Sequence, residues 1–296
     1  MNVLKKLDFI SYFTVIALLG VGGLLTLSSC TDKNDEPTLE KPGGENSSDN
    51  EDTDKDVFEL PQDFPASYSF GYVKLIEGMK EQYKEYTGFA LSFNEDNHTP
   101  NYVAWELLSE ETTGSANRSD YDFWQDRDLR GCPTKDYAYS VYKYERGHMC
   151  PAADQKWSGQ AMKDCFVMAN MCPQLGELNG KAWEKLEEKE RAWAKRDKAI
   201  WIVAGPIYYD TDELRIGFSQ VRVPSAFFKA FLYINTDEPR AIAFIYPNME
   251  SPGNMEDYAM SIDDLEKETG YDFFPALPDE IEDKIEATYS FSDWNK

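Results

Sequence analysis

Histidine is almost missing from this chain of 296 residues: only His98 and His148 can supply an imidazole. Positive charge is scarce too, with 30 lysines and arginines against 54 acids and a formal net charge of −24. A body this acidic cannot grip a polyanion through its overall field, because that kind of affinity comes from neutralised phosphates and released counterions. The five cysteines include no C-x-x-C pair, which argues against a cysteine-built zinc site. No internal repeat is evident, so a stacked-repeat architecture is set aside as well.

What is present begins with a targeting segment. Lys5 and Lys6 precede an apolar run from Phe9 to Leu27 that closes on Leu27-Ser28-Ser29-Cys30, the pattern of a secretion signal. A run of roughly 20 apolar residues could also serve as a membrane-spanning anchor. The closing residues resemble a bacterial lipobox, which implies cleavage before Cys30, lipid on its sulfur and attachment to the membrane through that lipid. The expected location is the bacterial cell envelope, at the outer-membrane surface or in the periplasm. From Thr31 to Asp56 ten acids stand against three lysines with few apolar residues, too little surface to bury for folding. This stretch is a tether or a plain solvated linker, and its acids just after Cys30 resemble the export signals of surface-exposed Bacteroidetes lipoproteins. The chain thus divides into a signal (1–29), a lipidated cysteine with an acidic linker (30–56) and a single domain (57–296).

The domain holds all but three of the chain's 17 Phe and 18 Tyr, enough for one substantial core. Its charge is −18, the −24 of the chain less +1 for residues 1–29 and −7 for residues 30–56. Runs rich in Val, Ile, Phe, Tyr and Trp predict strands over Tyr102–Leu108, Tyr137–Arg146, Cys165–Met171, Ala199–Ile207, Val221–Ile234 and Ala241–Tyr246. Leu178, Ala182, Leu186 and Trp193 recur at helical spacing and predict a helix from Leu178 to Lys195. Ser261 with acids behind it and Gly270 as a stop bound a second helix, and Pro278–Ala287 fits a third. The expected class is α+β, a mixed, mainly antiparallel central sheet with helices.

The chemistry lies between Tyr144 and Arg191. Glu145, Arg146, Gly147 and His148 read E-R-G-H, and Asn179 to Glu187 read N-G-K-A-W-E-K-L-E. An imidazole, a guanidinium, an amide and a carboxylate are the general base, anion clamp and hard-cation ligands needed to cut a phosphodiester with a metal ion. In order, this region gives a strand ending at His148, a loop, a strand over Phe166–Asn170, a Pro173-Gln174 turn and the helix. Such a ββα unit delivers His148 from a hairpin on one side and Asn179 from the start of a helix on the other.

These motifs resemble the DNA/RNA non-specific endonucleases of the ββα-metal superfamily. The resemblance runs from about Tyr102 to Phe291 and is strongest at Arg146–Pro151, Asn170–Gln174, Asn179–Arg191 and Ala204–Ile207. It implies a ββα-metal active site with His148 as the base that takes a proton from the attacking water. It implies Asn179 as the direct protein ligand to Mg²⁺, with Mn²⁺ an alternative, and Glu187 as the residue orienting metal-bound water. Arg191 and Asn170 would support the site, while Arg146 and Arg118 would face charge developing on phosphorus and on the leaving oxygen. Glu145 departs from the aspartate of many relatives but keeps the charge, so little effect is expected. Glu184, Glu188 and Glu190 match no role and are expected on the surface. His98 lies among turn-forming residues and is expected in a loop.

The implied activity is Mg²⁺-dependent hydrolysis of DNA and RNA without sequence specificity. Two other classes compete: a phosphodiesterase restricted to small nucleotides, which the acidic charge favours, and a catalytically dead nucleic-acid-binding surface lipoprotein. Arg146, His148, Asn179 and Glu187 occurring together argue against the last. The cations of the middle third, Arg118 to Arg191, are expected to form a locally positive groove on a repulsive body. In an exported protein Cys132, Cys150, Cys165 and Cys172 are expected to form two disulfides. Cys165 and Cys172 flank one predicted strand, too far apart to pair, which leaves Cys150 with either of them and Cys132 with the other.

Overall fold

Successive side chains of a strand face opposite sides of its sheet, and the apolar residues of this chain use both sides. The computed structural model describes residues 58–135, 143–209, 213–234, 238–250 and 252–296. The expected signal, Cys30 and acidic linker lie outside these residues. In chain order the strands are β1 (Val73–Lys74), β2 (Gln82–Tyr86), β3 (Phe89–Asn94), β4 (Thr99–Leu108), β5 (Tyr144–His148), β6 (Met171–Leu175), β7 (Ala199–Ile207), β8 (Arg215–Ile216), β9 (Val221–Arg222), β10 (Ala226–Tyr233), β11 (Arg240–Pro247), β12 (Ala259–Met260) and β13 (Asp272–Phe273). Seven form one sheet in the order β12-β11-β10-β7-β4-β3-β2, with every neighbouring pair antiparallel. The α+β class with a mainly antiparallel sheet is as expected.

Alternation sorts the core into two layers. Trp105 of β4, Ile202 of β7, Phe227 and Phe231 of β10 and Phe244 of β11 face one side, where they meet Trp183, Leu186 and Trp193. Those three come from a π-helical turn at Leu178–Trp183 that continues into an α-helix at Glu184–Asp197. Ala104, Val203, Phe228 and Ala243 face the other side and meet Ile262, Leu265, Phe273 and Ile285. The helices, in chain order, are α1 (Gly159–Cys165), α2 (Glu184–Asp197), α3 (Ile262–Thr269), α4 (Asp279–Glu286) and α5 (Phe291–Trp294). The predicted start of α3 holds, since Ser261 Oγ accepts from Asp264 N at 3.1 Å, and so does its stop, where Gly270 takes φ of 71°. A left-handed residue there suits glycine.

Several expectations are corrected. The strand over Cys165–Met171 is absent. Ser158 Oγ accepts from Gln160 N and Ala161 N and starts α1, which runs to Cys165, and a 3₁₀ turn at Met168–Asn170 follows. The second strand of the hairpin is β6, so Pro173 and Gln174 are strand residues rather than a turn. Proline is tolerated there because the ribbon has only two strands and each is an edge. The run over Val221–Ile234 breaks around Pro224 into β9 and β10, since proline brings no N–H to a ladder. Part of Tyr137–Arg146 lies outside the described residues, and β5 reaches two residues further, to His148.

The two disulfides are not formed. Cys132, Cys150, Cys165 and Cys172 are buried free thiols packed in the core layer beneath α2. Cys165 donates to Met162 O at 3.1 Å, and Cys150 Sγ accepts from Gln155 Nε2 at 3.2 Å. They act as small apolar side chains, and burial pushes the Cys132 thiol up to about 12. His98 sits in a tight turn at φ of 59°, its Nδ1 2.6 Å from Gly131 O, a loop residue as expected.

Candidate active site

The E-R-G-H strand is shaped by its partner. β5 pairs with β6 so that Glu145 faces Gln174, Arg146 faces Pro173, Gly147 faces Cys172 and His148 faces Met171. A Cβ on Gly147 would lie 2.2 Å from Gln174 Oε1 and 2.7 Å from Gln174 Cβ. Only glycine lets the backbone settle this closely on the buried Gln174. Arg146 and His148, two residues apart, share the other face of the strand. Both touch Phe123: the Arg146 guanidinium lies 4.2 Å from the ring centroid, and the His148 ring 5.8 Å from it.

His148 is buried between Phe123 and Phe166, the latter edge-on at 5.1 Å. Its Nε2 is buried with no hydrogen-bond partner among the described residues. Burial first, then the Arg118 and Arg146 guanidinium groups, push the imidazole down to about 3. These causes favour the neutral ring, in which one nitrogen carries a lone pair. Asn170 fixes the backbone beyond it: Nδ2 donates to Cys150 O at 2.9 Å and to Cys165 O at 2.8 Å, and Oδ1 accepts from Cys150 N at 2.9 Å.

The helix docks on this hairpin through two bonds. Trp183 Nε1 donates to His148 O at 3.3 Å, and Asn179 Nδ2 donates to Glu145 Oε2 at 2.7 Å. The second bond turns the amide so that its carbonyl oxygen remains as an acceptor. Glu145, which keeps the charge of the relatives' aspartate, is thus what aims Asn179. Both residues at this end of the helix lie in the π-helical turn, a widening common at functional sites.

Behind the seam lies a buried charge network that the sequence reading missed. Glu190, expected on the surface, is fully buried and accepts from Lys229 Nζ at 2.8 Å, and Lys229 is itself fully buried. Lys229 also sits 4.6 Å from the Trp183 ring centroid. The available signal was a lysine inside the apolar run of β10, Ala226–Tyr233, where a strand buried on both faces tolerates charge only if it is paired. Arg191 donates to Asp154 Oδ1 at 3.1 Å, tying α2 to the loop after β5, and Trp105 Nε1 donates to Asp154 Oδ2 at 3.2 Å. Half-buried Glu187 sits over this network. Burial first, with Glu190 and Glu184 adding and Lys229 and Arg191 opposing, pushes its carboxyl up to about 7.

A cleft of about 950 Å³ opens beside the seam, with Arg118, Phe123, Lys143, Glu145, Arg146, Glu177, Asn179 and Glu250 among its walls. The structure gathers Arg118, Arg146 and Asn179 here. His148 lies behind Arg146 and Phe123, and Glu187 lies further along the helix. Three cations and three carboxylates share these walls, so the expected positive groove is a balanced one. Several middle-third cations are neutralised elsewhere: Arg130 by Glu95, Lys135 by Asp122 and Arg191 by Asp154. A hard divalent cation suits these donors, since the Asn179 carbonyl and the Glu187 carboxylate are oxygen ligands and the His148 Nε2 is buried without a partner among the described residues.

A hairpin carrying His148, crossed by a helix carrying Asn179, defines the ββα-metal class. The model of the DNA/RNA non-specific endonuclease family matches residues 68–280, and the chain belongs to that family. The chain is 34% identical over 209 residues to the mitochondrial nuclease EXOG of Danio rerio, covering 65% of this chain and 60% of that protein. It is 33% identical over 214 residues to a nuclease of Nostoc sp., covering 67% of this chain and 75% of that one. It is similar in fold to a crystal structure of the EndoG/EndoGI complex, with a TM-score of 0.63 at 24% identity over 71% of this chain and 90% of that one. The chain spans 57–60% of the length of the EXOG proteins of Danio rerio, Xenopus laevis and Mus musculus, which it matches.

Proposed function

We propose that the chain is a divalent-metal-dependent endonuclease that hydrolyses phosphodiester bonds of DNA and RNA. The observation that carries this reading is the seam itself: a neutral imidazole with an unpartnered buried nitrogen, next to two arginines and a helix-start amide oxygen. His148 takes the proton of the attacking water. Arg146 and Arg118 face the negative charge that builds on phosphate oxygens. Asn179 and Glu187 would hold Mg²⁺, or Mn²⁺ in its place, which when bound supplies Lewis-acid polarisation of the phosphate and stabilises the leaving oxygen. Asn170 and Arg191 keep the hairpin loop and the helix in register.

The balanced cleft supports weak, salt-sensitive binding, and it also favours a second reading, cleavage of small nucleotides. Plasmid and a dinucleotide, each assayed with Mg²⁺ and with EDTA, separate the two. Plasmid cleavage that EDTA abolishes supports the endonuclease, cleavage of the dinucleotide alone supports the second reading, and no cleavage of either leaves a binding protein. From the signal, the lipobox-like Leu27–Cys30 and the acidic linker we also propose that the enzyme is lipid-anchored through Cys30 on the cell envelope. Cys30→Ser should then leave the membrane fraction, and unchanged membrane association would refute the anchor.

A further inference from the structure

On the face of the sheet opposite the cleft, three carboxylates converge. Asp263 and Glu266 stand one turn apart on α3, and Glu286 closes α4. One oxygen from each lies within 4.8 Å of the others. Glu286 is only 6% exposed, and its Oε1 is buried with no hydrogen-bond partner among the described residues. A buried carboxylate oxygen left without a donor is costly, so this group calls for a cation or a proton. Two lysines nearby are directed elsewhere, Lys267 to Asp264 at 3.0 Å and Lys74 to Asp272 at 3.9 Å.

We propose that Asp263, Glu266 and Glu286 form a second divalent-cation site, selective for Ca²⁺ and separate from the cleft. An all-carboxylate set without histidine or cysteine takes hard cations. Ca²⁺ accepts six to eight oxygens at about 2.3–2.6 Å in loose geometry, whereas Mg²⁺ demands about 2.0–2.1 Å and near-octahedral angles. Oxygens up to 4.8 Å apart can lie on opposite sides of one Ca²⁺. The site would pin α3 to α4. The competing occupant is a proton: burial first, then the Glu266, Glu282, Asp263 and Asp272 carboxylates, push Glu286 up to about 9.

Thermal melting of the full chain with Ca²⁺ or Mg²⁺ tests the site. At about 100 times Kd, Ca²⁺ should raise Tm by roughly 5–10 °C, and the shift should persist in Asn179→Ala, which alters only the cleft. Glu286→Gln should abolish the shift while leaving plasmid cleavage in Mg²⁺ unchanged. Should Glu286→Gln fail to fold, the half-exposed Asp263→Asn should weaken Ca²⁺ binding at least tenfold by calorimetric titration. The site is refuted by any of three results: no Ca²⁺ shift in the parent, an equal shift in Glu286→Gln, or parent-like Ca²⁺ affinity in Asp263→Asn. A Glu286→Gln chain that is more stable than the parent, with no Ca²⁺ response in either, would assign the position to a proton.

Discussion

The two faces of the sheet bury charge in opposite ways. Beneath the cleft the deep acids Glu190 and Asp154 both meet cations, Glu190 with Lys229 at 2.8 Å and Asp154 with Arg191 at 3.1 Å. On the far face the charges that act on Glu286 are other carboxylates, Glu266, Glu282, Asp263 and Asp272. Internal pairing gives the cleft face a scaffold whose geometry does not depend on what binds, and from that scaffold Trp183 and Asn179 reach the hairpin. The far face leaves its charge to be matched from solution. A removed cation should therefore damage the first face, and an added cation should strengthen the second.

The largest effect is expected from Lys229→Met, which leaves Glu190 buried without a partner. Denaturant unfolding should show a loss of about 3–5 kcal/mol, partly restored by Glu190→Leu in the same chain. If the single change costs nothing, the pair is not the strut it is taken for here. Next comes Gly147→Ala, whose Cβ must displace Gln174. A loss of about 1–3 kcal/mol is expected for such overpacking, with cleavage falling further than stability because His148 is the adjacent residue.

A smaller effect concerns pH. The Glu187 carboxyl, raised to about 7 mainly by burial, carries a proton below that pH, and a cation must displace it. Apparent Mn²⁺ affinity should therefore weaken as pH falls from 8 to 6, approaching tenfold per unit below the carboxyl's pKa for one displaced proton. Affinity that does not change over this range would place Glu187 outside the metal site. The smallest effect is none at all: with four free thiols, a reductant should leave Tm unchanged, whereas a native disulfide would contribute about 2–5 kcal/mol.

The sequence made the hairpin-and-helix logic legible because motif residues and element ends coincide: His148 ends β5, and Asn179 lies in the first turn of its helix. It misled at Cys165–Met171, where Phe166, Val167 and Met168 favour strands but the Ser158 cap and the Asn170 side chain impose α1 and a 3₁₀ turn. Glu190 was misread because a helix-face glutamate shows its burial only once the lysine of β10 arrives beneath it, 39 residues later. The bond between Glu145 and Asn179 was hidden for a similar reason, since it spans 34 residues. The β2–β3 hairpin at the sheet's edge lies before the segment that carried the family resemblance and was not anticipated.

The central claim is that the seam between β5 and the helix is a metal-dependent phosphodiester-cleaving site in which His148 accepts the proton. Plasmid cleavage by the parent, His148→Ala, Asn179→Ala and His98→Ala across a Mg²⁺ titration tests it most directly. His148→Ala should lose about 10²- to 10⁴-fold in rate at every Mg²⁺ concentration, with its melting curve retained. Asn179→Ala should need more Mg²⁺ to reach its maximum, and His98→Ala should match the parent. Cleavage by His148→Ala near the parent rate, or cleavage by the parent undiminished in EDTA, would contradict the claim.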